Sequence, residues 1–175
     1  MIDPNKKLVL DADVLIHFIK GDLIFSLPSI ITNEMVILDK VYNEITHRKS
    51  QEIIDRFLEL PVVNLIDFPE DLQYVQEYAL LTSERGHNLD KGESACLVYA
   101  RYNKDVLASS NLSDIKRYCS FHKIEFVTTI DLLVIGIENG KLSIEECDLF
   151  IKAVRSKGSK LPNKSISEIL AERKR

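Results

Sequence analysis

The chain has 175 residues, of which 45% are hydrophobic and 29% are charged, a composition typical of an ordinary globular protein with one sizeable core. No apolar run approaches the ~18 residues that a membrane span requires, and the N-terminus lacks the pattern of a signal peptide. The three cysteines fit neither a disulfide framework nor a zinc site. We therefore expect a reduced, cytoplasmic protein without a membrane partner.

The formal net charge is -4, which argues against a broad phosphate-binding surface, but the charge is uneven. Residues 157–175 carry six basic and two acidic side chains, so this segment is basic while the rest of the chain is acidic. A basic tail on an acidic body could contact nucleic acid or an acidic partner. A tail that only keeps the chain in solution explains the pattern at least as well.

Short apolar stretches alternate with helical patterns along the whole chain. In chain order, we predict a strand at residues 7–10, helices at 14–19 and 22–27, a strand at 30–32, helices at 35–45 and 50–60, a strand at 62–66, helices at 69–85 and 90–102, a strand at 105–108, a helix at 112–122, a strand at 124–127, and helices at 130–138, 143–154 and 165–173. In the helix at 69–85, the predicted inner face consists of Leu72, Val75, Ala79 and Leu80. The helix at 90–102 is apolar almost all round and should be central.

This alternation predicts βαβ units, and hence a single α/β domain with a mostly parallel central sheet flanked by helices. No linker divides the chain. We take residues 1–156 as the domain, and residues 157–175 as a basic, helical C-terminal extension that belongs to the same unit.

Ligands of open parallel sheets bind beyond the carboxyl ends of the strands. This rule selects Asp11 and Asp13 after the first strand, Ser109, Ser110 and Asn111 after the fourth, and residues 128–131 after the last. Glu44 and Glu93 lie in helical settings that could reach the same edge of the sheet.

Most of these residues also have a structural explanation. Asp13 is most simply the N-cap of the following helix, and Asp131 could cap the helix at 130–138. Asp90 and Glu93 have the spacing of a capping arrangement, which accounts for them about as well as catalysis does. Glu44 alone could be a polar residue on an amphipathic helix. Asp11 is the hardest to explain in this way, because it ends a buried strand.

A cluster of carboxylates without Cys or His ligands is suited to a hard cation, Mg²⁺ or Mn²⁺ rather than zinc. Such a site serves phosphodiester hydrolysis by in-line displacement. The acids must converge in space for this interpretation to hold.

Four segments, in this order and spacing, resemble the motifs of the PIN-domain family: LVLDADVLIHFIKGDLIFSLP, VILDKVYNEI, LDKGESACLVYA and VLASSNLSDIKRY. The third resembles a subgroup whose third acid is the Glu of a Gly-Glu pair. The C-terminal segment from Gly140 onward resembles the end of the same subgroup. PIN-domain proteins are metal-dependent ribonucleases that include the VapC-type toxins of toxin–antitoxin pairs.

The resemblance implies an endoribonuclease that leaves a 3′-hydroxyl and a 5′-phosphate, with Asp11, Glu44 and Glu93 as catalytic metal ligands supported by Asp90, Asn111 and Asp114. We expect single-stranded RNA as the substrate. The predicted substrate contacts are Ser109, Ser110, Lys91, Lys116 and Arg117, whereas Lys6 and Lys7 are better explained as solvated surface. A toxin would imply an antitoxin partner, and homodimers are common in the family.

The sequence departs from the family after the fourth strand, where Ser109-Ser110-Asn111 stands in place of an acidic position. A neutral position there would weaken the binding of a second metal. Two alternatives therefore remain open. One is a PIN-like binding or scaffold module with weakened catalysis. The other is a phosphatase of the haloacid-dehalogenase type, because Asp11-Ala12-Asp13 has the D-x-D form.

Overall fold

The computed structural model describes residues 2–84 and 87–173, with the side chain of Asp114 also outside the description. Its centre is a parallel sheet of five strands in the order β3-β2-β1-β4-β5. The strands are β1 (Leu8–Leu10), β2 (Met35–Leu38), β3 (Val63–Ile66), β4 (Val106–Ala108) and β5 (Phe126–Val127). All pairs of neighbouring strands are parallel, which confirms the α/β architecture predicted from the alternating pattern.

Helices connect the strands and cover the sheet. They are α1 (Ala12–Lys20), α2 (Leu27–Ile30), α3 (Asp39–Glu44), α4 (Arg48–Leu58), α5 (Leu72–Thr82), α6 (Lys91–Asn103), α7 (Leu112–His122), α8 (Thr129–Glu138), α9 (Ile144–Ser156) and α10 (Ile166–Arg173). A 3₁₀ turn (Ile24–Ser26) precedes α2. None of the helices in the described ranges is long and apolar enough to span a membrane.

The three middle strands are apolar on both faces because helices cover both faces of the sheet. Every residue of β1, β2 and β4 is fully buried, as is usual for the inner strands of a parallel sheet. Helix α6 packs against β1, β2 and β4 and against α3, α5 and α7, while α1 packs against α8 and α9. The prediction that the segment at 90–102 is central is confirmed, since its residues 92–100 are all buried.

The second strand lies one segment later than the sequence predicts. Residues 35–38 form β2 rather than the first turn of a helix, and residue 30 ends α2 instead of starting a strand. The apolar run from Met35 to Leu38 continues into Asp39 without Gly or Pro, and periodicity cannot tell such a short buried run from helix. Burial on both faces favours the extended conformation.

The predicted inner face of α5 is also wrong. Leu72, Val75 and Leu80 are 71%, 44% and 57% exposed, and the buried residues of this helix are Tyr74 and Leu81. Helix α5 begins three residues after Pro69 rather than at it. The inner face is then set by the aromatic packing of Tyr74 against Phe68 and Tyr102.

The basic C-terminal segment packs on the body through α10. Ile166 is fully buried, its backbone N–H donates to Asp148 Oδ1 at 2.7 Å, and α10 contacts α9. Two of its charges are paired, Lys164 with Glu172 and Arg173 with Asp131. A domain boundary at residue 156 stays a prediction.

Candidate active site

The strand order places a crevice at the carboxyl end of β1. The chain moves from β1 outward to β2 and β3, and then crosses back to form β4 on the other side of β1. Ligands of open α/β sheets bind at such a switch point. Asp11 follows β1 there, and Ser109 and Ser110 follow β4.

Asp11 is both the end of the first strand and the N-cap of α1. Its side chain is only 5% exposed, and its Oδ1 accepts a hydrogen bond from the Ala12 backbone N–H at 2.8 Å. The pKa of Asp11 is raised to about 7, first by burial and then by the charges of Asp13 and Glu44, while hydrogen bonds from Ser109 and the Ala12 backbone oppose the rise. The expectation that Asp13 caps this helix is therefore wrong, because the cap lies two residues earlier.

Asp13 instead belongs to the site, a role that the sequence analysis left secondary. Its Oδ2 accepts the backbone N–H of Ser110 at 2.8 Å, which joins the start of α1 to the end of β4. Its Oδ1 is buried and accepts no hydrogen bond from the described residues. Burial raises the pKa of this carboxyl group, and the backbone donors oppose the rise. Two sequence signals point to Asp13: its position just after the first strand and the D-x-D spacing with Asp11.

Glu44 reaches the site from the last residue of α3. Its Oε1 accepts the backbone N–H of Gly92 at 2.6 Å, so the second acid lies against the first turn of α6. A Cβ at position 92 would stand 2.3 Å from Glu44 Oε2, a distance that nonbonded atoms do not reach. Gly92 is thus required for the close approach of Glu44.

Glu93 follows directly and is 5% exposed. Asp90 occupies the N-cap position of α6, but its side chain makes no capping hydrogen bond. The expectation that the Asp90 side chain caps this helix is therefore wrong. Asp90 itself is exposed at the mouth of the helix.

Cys96 relates the positions of the four acids to one another. This thiol is fully buried and lies 3.8 Å from the Leu10 carbonyl. Its pKa is raised well above the usual range, first by burial and then by the negative charges of Asp11, Glu44, Asp13 and Glu93. One side chain beneath the end of β1 is thus within electrostatic range of all four carboxylates.

The neutral segment after β4 is held by a buried polar network. Ser110 Oγ donates to Thr129 Oγ1 at 2.9 Å and accepts the Thr129 backbone N–H at 3.0 Å. Thr129 Oγ1 also lies 2.9 Å from Nδ1 of buried His17, whose pKa is lowered to about 4 by burial and then by Lys20. Ser110 therefore offers its backbone N–H to Asp13 while its hydroxyl group points to Thr129. Sequence reasoning missed His17, whereas Thr129 lies in the segment 128–131 that the sequence pattern selects.

The remaining predicted site residues differ in how exposed they are. Ser109 is fully buried and forms a side-chain hydrogen bond with Asp11, so it positions that acid, and its contact with substrate stays a prediction. Asn111 is the N-cap of α7 and accepts from Ser113 Oγ. Lys91, Lys116 and Arg117 are exposed at the start of α6 and along α7. The side chain of Asp114 lies outside the described residues.

The carboxylate oxygens of the site suit a hard divalent cation, but the side chains are not arranged as a complete metal-binding site. Over residues 2–84 and 87–173, no three His, Cys, Asp or Glu side chains are close enough to hold a metal ion. The buried Asp11 carboxyl group with its raised pKa and the unbonded Oδ1 of Asp13 are nevertheless the groups that a bound cation would stabilise. These residues fit Mg²⁺ or Mn²⁺ better than a softer metal.

Comparison with protein-family models gives a match described as PIN domain over residues 7–175, nearly the whole chain. Searches of curated proteins and of solved structures gave no significant match. PIN domains are generally nucleases and typically use divalent metals. The family match and the parallel sheet with acids at its switch point agree, and the chain belongs to the PIN-domain family.

Proposed function

We propose that this protein is a metal-dependent endoribonuclease, with Asp11, Glu44 and Glu93 as the metal-binding and catalytic acids and with Asp13 beside them. The single observation that carries the proposal is that these four carboxylates all lie within electrostatic range of Cys96 at the switch point of the sheet. Asp11 and Glu93 are buried among them, and several negative charges so close to one buried place are costly, so the cluster is best explained by a cation that accompanies it.

Each acid is oriented by a donor of the chain itself. Ser109 bonds Asp11, the Ser110 backbone N–H bonds Asp13, and the Gly92 backbone N–H bonds Glu44. These donors fix the carboxylates before substrate arrives, which reduces the reorganisation needed during the reaction. When bound, a divalent cation supplies activation of water and neutralisation of charge on the phosphodiester.

The substrate must present a phosphodiester to the edge where Asp11 and Glu44 lie. Exposed Lys91 stands at the start of α6, next to Gly92 and Glu93, where it can contact a phosphate. Single strands fit this crevice because their phosphates are not held in a duplex. RNA is therefore the proposed substrate, and the products would carry a 3′-hydroxyl and a 5′-phosphate.

A titration with Mn²⁺ tests the proposal. We expect Mn²⁺ to raise the Tm of the protein and to support cleavage of single-stranded RNA. Glu93→Gln should lower the Mn²⁺ affinity, measured from the Tm shift, and the cleavage rate, each by at least tenfold. The matched control is Glu138→Gln, at the end of α8, which should behave as wild type. A wild-type protein with neither a Tm shift nor cleavage would refute the proposal.

The second candidate, a binding module with weakened catalysis, is favoured by one observation. The Ser110 hydroxyl group is engaged with Thr129 and does not replace the missing acid after β4. The same titration separates the two functions, since a binding module would show the Mn²⁺-dependent Tm shift without cleavage. The phosphatase alternative loses support because Asp131 is held in a capping box with Thr128 and pairs with Arg173.

The toxin role and its partners are part of the same proposal. A toxin of this kind would be inhibited by a small antitoxin that covers the acidic crevice, and homodimer formation would be compatible with the fold. Co-expression with the product of a small adjacent gene should relieve growth inhibition by the wild-type chain. The inactive Glu93→Gln variant should not inhibit growth at all.

A further inference from the structure

A second groove runs between α5 and α7, outside the acidic crevice. Its cavity has a volume of about 720 Å³, with Leu81, His87 and Leu89 at one end and Phe121 and His122 at the other. The first end lies at the loop that leads into α6, next to Asp90. The groove therefore begins near the candidate active site and leads away from it.

Evenly spaced side chains of helix α7 form one wall of the groove. Ser113, Arg117 and Phe121 all line the cavity and are spaced four residues apart, so they lie along one side of the helix. The distance along the helix axis from the first to the last is about 12 Å. Because α7 begins directly after Asn111, the stripe starts at the carboxyl edge of the sheet and ends at the opposite edge.

The far end of this stripe carries an aromatic side chain in solvent. Phe121 is 80% exposed, and its ring meets His122 edge-on at 4.8 Å between centroids. His122 in turn packs on Tyr118 at 4.3 Å. A large exposed aromatic ring supported by two further rings is a platform on which another flat group can stack.

Several cations near this ring form no ion pair with the described residues. Glu77, the acid among the described residues that line the groove, pairs with Arg101 and accepts a hydrogen bond from Tyr118. Arg117 is exposed and forms no ion pair with the described residues. Lys104 is also exposed and forms no ion pair with the described residues.

A neighbouring cavity of about 600 Å³ also borders Phe121, and it is lined by Lys104 and Lys123. Its two acids are engaged: Asp105 accepts the Lys7 backbone N–H, and Glu125 pairs with Lys6. Among the described residues that line the two cavities, the cations outnumber the acids, although the chain as a whole is acidic. The cations are Lys6, Arg101, Lys104, Arg117 and Lys123, and the acids are Glu77, Asp105 and Glu125.

We propose that the groove between α5 and α7 binds single-stranded RNA beside the cleavage site, with Arg117 on a phosphate and Phe121 stacked on a base. This inference rests on the proposed ribonuclease function and extends it to a distinct substrate-binding surface. Unpaired bases stack on exposed aromatic rings and their phosphates pair with cations, the two chemistries present here. A helical peptide fits less well, because Arg117 and the Arg101–Glu77 pair interrupt the apolar surface that its nonpolar face would need.

The test is fluorescence anisotropy with a labelled single-stranded RNA of about 12 nucleotides, within the usual range of single-strand sites, in EDTA to prevent cleavage. We expect Phe121→Ala to weaken binding about tenfold, as the loss of one base stack would. Arg117→Ala should weaken binding about fivefold and reduce the salt dependence by about one phosphate contact. The matched control is Phe25→Ala, because Phe25 is 53% exposed in the 3₁₀ turn beside α1 and α2.

Two outcomes would overturn the proposal. One is binding by Phe121→Ala and Arg117→Ala within twofold of Phe25→Ala, about the scatter expected for neutral surface changes. The other is an equal loss of duplex RNA binding in Phe121→Ala, because paired bases cannot stack on a side chain. Hydrolysis of bis(p-nitrophenyl) phosphate with Mn²⁺ reports the catalytic function separately. Phe121→Ala should leave that rate unchanged. If the wild type does not hydrolyse this substrate, the result counts against the proposed nuclease function and not against RNA binding in the groove.

Discussion

Replacing Asp11 by Asn should stabilise the metal-free protein while it abolishes activity. The carboxyl group is buried, and burial together with the charges of Asp13 and Glu44 raises its pKa from 3.8 to about 7. An amide keeps the shape of the side chain and an oxygen that can still accept from the Ala12 N–H. The substitution therefore removes a buried charge without opening a cavity.

The magnitude follows from linkage between the pKa and folding. Because the pKa is higher in the folded state than in the unfolded state, Asp11 costs no stability below about pH 4, its cost grows as the pH rises from about 4 to about 7, and the cost is constant above that. A rise from 3.8 to about 7, at 1.36 kcal/mol per pKa unit, corresponds to roughly 4 kcal/mol as an upper limit. We expect Asp11→Asn to be more stable than wild type by about 2–4 kcal/mol near pH 8, and by much less near pH 4.

Urea unfolding in EDTA at both pH values, followed by circular dichroism, measures this difference. Asp131→Asn is the control of opposite sign. The pKa of Asp131 is lowered, despite partial burial, by hydrogen bonds from Thr128 and by the Arg173 pair, so the stability that it contributes is present at neutral pH and lost as the pH falls. The control should lower stability by about 1 kcal/mol near pH 8. An Asp11→Asn protein that is less stable than wild type in EDTA near pH 8 would refute the reasoning.

Two further substitutions test the contacts around the acids. Gly92→Ala should lower Mn²⁺ affinity at least tenfold, because the new methyl group displaces the Glu44 carboxylate. The change in stability should stay within about 1 kcal/mol, because the displaced atoms are the end of a flexible, exposed side chain. A Mn²⁺ titration measures the affinity, and an affinity equal to that of the wild type would contradict the steric argument. His17→Gln should remove a loss of stability that the wild type shows as the pH falls below about 6.5, because burial lowers the pKa of His17 to about 4 and charging it costs roughly 3 kcal/mol. Unfolding curves of the two proteins between about pH 7 and 4.5 check this, and parallel pH profiles would show that His17 does not titrate in the fold.

The sequence was informative where a signal is local. Strands β1 and β4 are short apolar runs next to charged or polar residues, and α7 was predicted with the bounds that the structure shows. Asp11 was identified correctly as a residue at the end of a buried strand, although its second role as a helix cap was not foreseen. Each of these inferences needs only a few neighbouring residues.

Features that depend on distant partners could not be predicted in the same way. The run at Met35–Leu38 becomes a strand because β1 and β3 flank it, and nothing inside the run indicates those neighbours. Asp13 has the local pattern of a cap, and its bond to Ser110 joins residues 97 positions apart. Likewise His17 and Thr129 meet across 112 positions.

The contact between Glu44 and Gly92 changes what the Gly-Glu pair in this chain means. The two adjacent residues serve different acids: Glu93 brings its own carboxylate, whereas Gly92 makes room for a carboxylate from another segment and donates an N–H to it. In a relative with Ala at this position, the methyl group would push the Glu44 carboxylate away from the first turn of α6, although every acid would be retained. A count of acids alone would therefore overlook the glycine that lets these two segments meet.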